Sequence, residues 1–236
     1  MGLLFPSRRS PKEGPGLPPP QGGAALYFYL VKTYFWQLLW LNWVFLFSCI
    51  PVVTIPAALT ALSRVCLKLV REGTALFWLE YKTEFRRSFG KSIPFGLLFG
   101  GALFGSYYLL SLGLTNGESL FGLLFSGAGL CLLVLGVGWG CYAFVLLAAQ
   151  DLPVRTLLKN AWYLMLLGGK ATAAVLVTVA VSSGLVLLLF PVSLILPALG
   201  LAAVTQFTVC WFVHIPLNDH VFRPYARTNR DHSEEP

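Results

Sequence analysis

Long uncharged apolar runs alternate along the chain with short stretches in which aromatic and charged residues share helical spacing. The runs fall at about residues 33–50, 57–70, 93–112, 119–150, 171–190 and 192–215. A run of about 20 apolar residues crosses a bilayer as a helix. The pattern therefore predicts an all-α, polytopic transmembrane bundle of about six membrane helices. The second is short: about 14 residues at 1.5 Å each reach about 21 Å, against a hydrocarbon core of about 30 Å.

The stretch 41–73, LNWVFLFSCIPVVTIPAALTALSRVCLKLVREG, organises the rest. It begins as a span, breaks at Pro51 and Pro56, and resumes as a helix bearing Arg64, Lys68 and Arg71. Proline lacks a backbone donor and interrupts a helix. Residues 52–55 are expected to be extended or kinked, and residues 33–70 to form a hairpin that enters the bilayer and returns. Irregular backbone at membrane depth must be covered by protein. Asn42, Pro51, Thr54 and Pro56 are thus candidates for a functional break. The basic residues at i, i+4 and i+7 lie on one face, positioned to reach headgroups or a partner.

Two further stretches predict amphipathic helices on the cytoplasmic surface. In 74–91, Phe77, Trp78, Tyr81, Phe85 and Phe89 follow helical spacing, with Lys82, Arg86 and Arg87 between them. In 152–166, Val154, Leu157, Leu158, Ala161, Trp162 and Met165 form one face, and Arg155, Lys159 and Asn160 the other. Asp151 is expected to cap that helix, with Pro153 in its first turn. Candidate partner or headgroup contacts are Trp78, Phe85, Arg86, Arg87, Arg155, Lys159 and Trp162. Gly96, Gly100, Gly101 and Gly105 give overlapping GxxxG spacings for close helix contact. Gly136, Gly138 and Gly140 mark kinks or close packing, not a nucleotide loop, since no βαβ unit surrounds them.

Composition strengthens the membrane reading. Of 236 residues, 56% are hydrophobic and 11% charged, against about 25% charged in soluble domains. The net charge of +7 follows the positive-inside rule, because the basic residues lie between the apolar runs; nucleic-acid binding would need them on one soluble face. The turns at 113–118 and 190–191 contain no Lys or Arg, whereas loops 71–92 and 150–170 and both ends of the chain do. This alternation predicts cytoplasmic termini, provided that residues 33–70 go in and come back; a five-span chain with an outside N-terminus is the alternative. Residues 1–25 read as a disordered basic tail and not a signal peptide, 26–215 as the transmembrane domain, and 216–236 as a polar cytoplasmic tail.

Little catalytic chemistry is legible. No acidic residue falls inside the predicted spans, which counts against a proton- or cation-coupled transporter. The five cysteines lie in or beside apolar helices without a CxxC spacing. His214, Asp219 and His220 sit together past the last span, with no third ligand at metal spacing. No enzymatic activity, metal or cofactor is expected.

The run Asn42-Trp43, the segment Pro51 to Leu62, Lys68-Leu69 and the aromatic-basic Phe85-Arg86-Arg87-Ser88-Phe89 resemble the YesL-like family of bacterial membrane proteins of unknown function. The resemblance covers about residues 26–95, with a looser echo in residues 151–162. Pro56 departs from it, standing where the family pattern has Gly. Such proteins often accompany carbohydrate ABC importers, so the resemblance implies an accessory role beside an importer's permease or ATPase subunits and brings no catalytic residues. Two rivals remain: a small-solute carrier or channel at the Pro51–Pro56 break with Asn42, Thr54 and Gln206, and a permease subunit with 152–166 as its coupling helix.

Overall fold

The computed structural model describes residues 23–117, 119–189 and 200–218. The two predicted tails up to residue 22 and from 219, the turn at Pro191 and the pair Asp219-His220 lie outside them. The described residues are almost entirely helical and contain no strand. The helices are α1 (Gly23–Thr33), α2 (Phe35–Ser48), α3 (Ile55–Glu72), α4 (Phe77–Thr115), α5 (Leu120–Ala149), α6 (Val154–Leu167), α7 (Gly169–Leu188) and α8 (Leu201–Leu217). Residues Val52–Thr54 form a 3-10 turn.

Four segments are long and apolar enough to cross a membrane: Val52–Glu72, Phe77–Thr115, Leu120–Ala149 and Gly169–Leu188. Helices α2 and α8 are shorter apolar helices. The expectation for the second apolar segment is therefore corrected. Pro56 falls at the start of α3, where its missing N–H would be unpaired anyway and its fixed φ suits the helix. The helix gains two residues at each end over the predicted 57–70 and closes at Gly73 in the left-handed region, φ 70°. The break shrinks to Pro51 and a tight turn, not an extended 52–55. Thr54 closes this turn by donating to the Pro51 and Ser48 carbonyls.

The N-terminal half of the first predicted span is also revised. Helix α1 begins ten residues before position 33 and runs almost continuously into α2, with backbone bonds bridging Tyr34 (Leu38 N to Tyr34 O, 2.9 Å). Tyr27 on α1 ties it to α8: its hydroxyl bonds Thr208 at 2.8 Å and its ring packs on Phe207 and Trp211.

Residues 74–91 do not form a separate helix. They are the first part of α4, which runs unbroken through Pro94 for 39 residues, about 58 Å at 1.5 Å per residue. Nearby, Ser92 Oγ donates to the Phe89 carbonyl at 3.0 Å. Helices α4 and α5 pack as an antiparallel pair, and small residues bring them together. A Cβ on Gly113 would lie 2.1 Å from Ser126 Oγ, one on Gly129 2.9 Å from the Leu110 backbone, and one on Gly140 2.3 Å from Phe99. Only part of the predicted glycine stripe is used. Gly96 receives the Pro56 ring and Gly105 meets Leu132, whereas Gly100 and Gly101 face open space. Gly136, Gly138 and Gly140 are buried packing points.

Helix α3 sits at the centre, with Ala57, Ala58, Ala61, Val65, Cys66 and Leu69 fully buried. The outer faces of α4, α5 and α7 expose large apolar side chains such as Leu97, Phe104, Leu123 and Leu188, as lipid-facing surfaces do.

Candidate functional site

The charges gather where the C-terminal half of α3, the first turns of α4 and the α5–α6 connection meet. Arg64 lies on α3 with its guanidinium turned to the end of α5, where Nη1 donates to the Ala148 carbonyl at 2.9 Å. That carbonyl belongs to the last turn of α5, which has no intrahelical donor and carries the negative end of the helix dipole. Lys68, one turn on, pairs with Glu80 of α4 and lies 3.9 Å from Glu72. Arg71, one turn further, is exposed and also engaged within the protein.

The next layer is on α4. Glu84 has a side chain only 5% exposed, and Arg87 Nη2 binds it at 2.8 Å. A buried carboxylate is costly unless it is paired and hydrogen-bonded. Arg87 also reaches Asp151 at 2.5 Å, and Lys91 binds the other Asp151 oxygen at 3.1 Å. The hydrogen bond from Lys91, with the nearby Arg87 charge, holds the Asp151 carboxyl below the usual range despite slight desolvation. Asp151 therefore does not cap α6. The helix begins after Pro153 with no side-chain cap, and Asp151 ties the connection back to α4.

This network fixes the root of α6. The buried face of α6 is Leu157, Ala161, Leu164 and Met165. Met165 fits the notch at Gly138, and Trp139 Nε1 donates to the Leu158 carbonyl at 3.5 Å. Trp162, a candidate contact residue, is 42% exposed. It shares the open surface with Arg155, Lys159 and Tyr163.

On the other flank of α4, Trp78 and Arg86 are exposed, while Phe85 is half-buried between Tyr81 and Phe89. The aromatic-basic segment thus has two sides. Glu80, Glu84, Arg87 and Lys91 recur along one and are bonded inward; Trp78, Lys82 and Arg86 occupy the other and face α2.

The residues of the predicted break meet structural needs. Asn42 is fully buried, and its Oδ1 accepts the Ala203 N–H at 3.2 Å. That N–H belongs to the first turn of α8, which has no side-chain cap of its own. Gln206 donates to Ser63 Oγ at 2.7 Å. Asn42, Thr54 and Gln206 thus each bond a different partner within the protein. The ion-pairing roles of Glu84 and Asp151 were not read from the sequence. Glu84 carries a faint signal in its i,i+3 spacing to Arg87; Asp151 pairs across 64 positions and carries none. Among the described residues no group of three His, Cys, Asp or Glu side chains could hold a metal ion.

The fold thus defines an all-helical protein with four helices able to span a membrane and a charged cluster at one end. Residues 38–108, covering most of α2, all of α3 and most of α4, match the model of a family described as "Protein of unknown function, DUF624". The match takes in the Pro51 turn and the aromatic-basic part of α4, and covers less than half of the chain. No curated protein and no solved structure matches.

Proposed function

We propose that this is a non-enzymatic, multi-pass protein of a bacterial plasma membrane, of the YesL-like kind, acting as an accessory component of a carbohydrate ABC importer. The observation that carries it is α6: a helix rooted by an ion-pair network yet presenting Arg155, Lys159, Trp162 and Tyr163 outward. Rigid, exposed Trp, Tyr and Arg side chains are the usual anchors of protein interfaces. In this reading the four long helices, with α2 and α8, make six membrane helices, and the charged end and both termini face the cytoplasm. The importer assignment rests on the family resemblance. The carrier reading at the break has weaker support, because Asn42, Thr54 and Gln206 each bond within the protein.

The test is a pull-down of the full tagged chain from native membranes in mild detergent, compared with the Trp162→Ala/Tyr163→Ala variant. Importer permease or ATPase subunits are expected in stoichiometric amount with the parent. Capture should fall about 30-fold for the variant if Trp162 is an anchor contributing about 2 kcal/mol. A parent protein recovered without either subunit, or a variant that captures them equally well, refutes the proposal.

A further inference from the structure

The basic residues of the charged end divide into two populations. Arg64, Lys68, Arg87 and Lys91 are committed to carboxylates or to a helix end. Lys82 and Arg86 are one helical turn apart on α4, exposed, and make no ion pair among the described residues. Both line a small groove of about 210 Å³ between α2 and α4, with Ser48, Tyr81 and Trp78. The Tyr81 hydroxyl is buried there beside Ser48.

This polar groove shares Val44 and Trp78 with a larger open one of about 640 Å³. Trp36, Trp40, Trp43 and Phe47 of α2 line it together with Trp78. Trp36 is 76% and Trp40 69% exposed. The combined shape is an aromatic trough with two uncommitted cations at one end, complementary to a molecule with an apolar chain and an anionic head. Trp rings favour the headgroup level, and each Lys or Arg near an anionic leaflet adds about 1 kcal/mol of attraction.

We infer that the groove between α2 and α4 is a site for one anionic phospholipid, its phosphate on Lys82 and Arg86 and its headgroup region against the rings of Trp36, Trp40, Trp43 and Trp78. This site does not depend on an importer partner. It also separates Lys82 and Arg86 from the general basic character of the loop, because the neighbouring cations are already paired.

The full chain in mild detergent, titrated with phosphatidylglycerol or with phosphatidylcholine of the same acyl chains, tests this by counting bound lipids in native mass spectrometry. One phosphatidylglycerol is expected to bind in preference to phosphatidylcholine. Lys82→Gln and Arg86→Gln should each weaken it roughly fivefold, with little effect on phosphatidylcholine. Trp40→Ala should weaken both lipids, and Arg155→Gln/Lys159→Gln should leave the preference intact. Equal binding of the two lipids by the parent overturns the inference, as does a preference that survives loss of both Lys82 and Arg86. Displacement of the bound lipid by inorganic phosphate would also overturn it, showing a free-anion site in place of a lipid site.

Discussion

Asn42 gives the sharpest separation between a structural and a solute-binding role for the membrane interior. Its carboxamide oxygen accepts the Ala203 N–H at 3.2 Å, and the side chain is fully buried. Ala203 is the third residue of α8, so its N–H has no partner within the helix. Asn42→Leu keeps nearly the same size and removes the acceptor. Losing a cap costs about 0.5–2 kcal/mol, and stranding a buried donor costs about 1–3 kcal/mol. These describe the same lost bond and do not add, so about 1–3 kcal/mol is expected. For a chain of this size each kcal/mol lowers Tm by about 2–4 °C; the variant should melt about 2–12 °C lower in detergent. Hydrogen exchange should speed up first at residues 201–204, because the first turn of α8 loses its anchor while α3 and α5 keep theirs. An Asn42→Leu protein with unchanged melting and unchanged exchange at 201–204 would refute the cap. If that variant also lost uptake of a solute, Asn42 would belong to a transport site.

Two further outcomes follow from the packing and the charges. Gly96→Val should destabilise by about 1–3 kcal/mol, because even a Cβ would lie 2.1 Å from the Pro56 ring. Gly100→Ala, one turn along and facing open space, should stabilise α4 by about 0.5–1 kcal/mol; thermal melting of the pair checks both signs. Arg87→Gln removes the partner of buried Glu84 and one of two partners of Asp151; with Arg87 partly exposed, the expected cost is about 1–3 kcal/mol near neutral pH. Asp151 has a depressed pKa in the folded protein, so its contribution is present above the ordinary carboxylate pKa and lost as pH falls through the folded value. Melting curves of parent and variant should therefore differ at neutral pH and converge in strong acid. A gap that stays constant with pH would disprove the ion-pair account.

The helices themselves are legible because lipid solvation imposes a simple demand: long apolar runs and satisfied backbone. The span of α5 and the amphipathic α6 follow from that demand. What resists reading is how the segments end. Pro56 looks like a second break, yet at the start of a helix a proline costs nothing, and the run of small residues Ala57, Ala58 and Ala61 lets α3 enter the core directly. Pro94 poses the opposite case: it stands where the amphipathic and apolar parts of α4 join, and the helix continues through it. Placement in the first turn accounts for Pro56, whereas α4 continues through an interior proline, so the presence of a proline alone does not mark a break.

The charged stretch of α4 shows why a count of Lys and Arg says little about function. The positive-inside rule weighs each basic residue alike, whether paired or free. In the folded chain, Arg87 and Lys91 are matched by Asp151 and Glu84, so they lock helices together and offer little to a ligand. Lys82 and Arg86, shifted around the helix from that stripe, have no such partners and sit beside an aromatic groove. The division is set by Asp151, 60 positions or more away in sequence, which enters the α4 surface only because α4 and α5 pack antiparallel through their glycines. A change at that packing, such as bulk at Gly140 against Phe99, would therefore release Arg87 and Lys91.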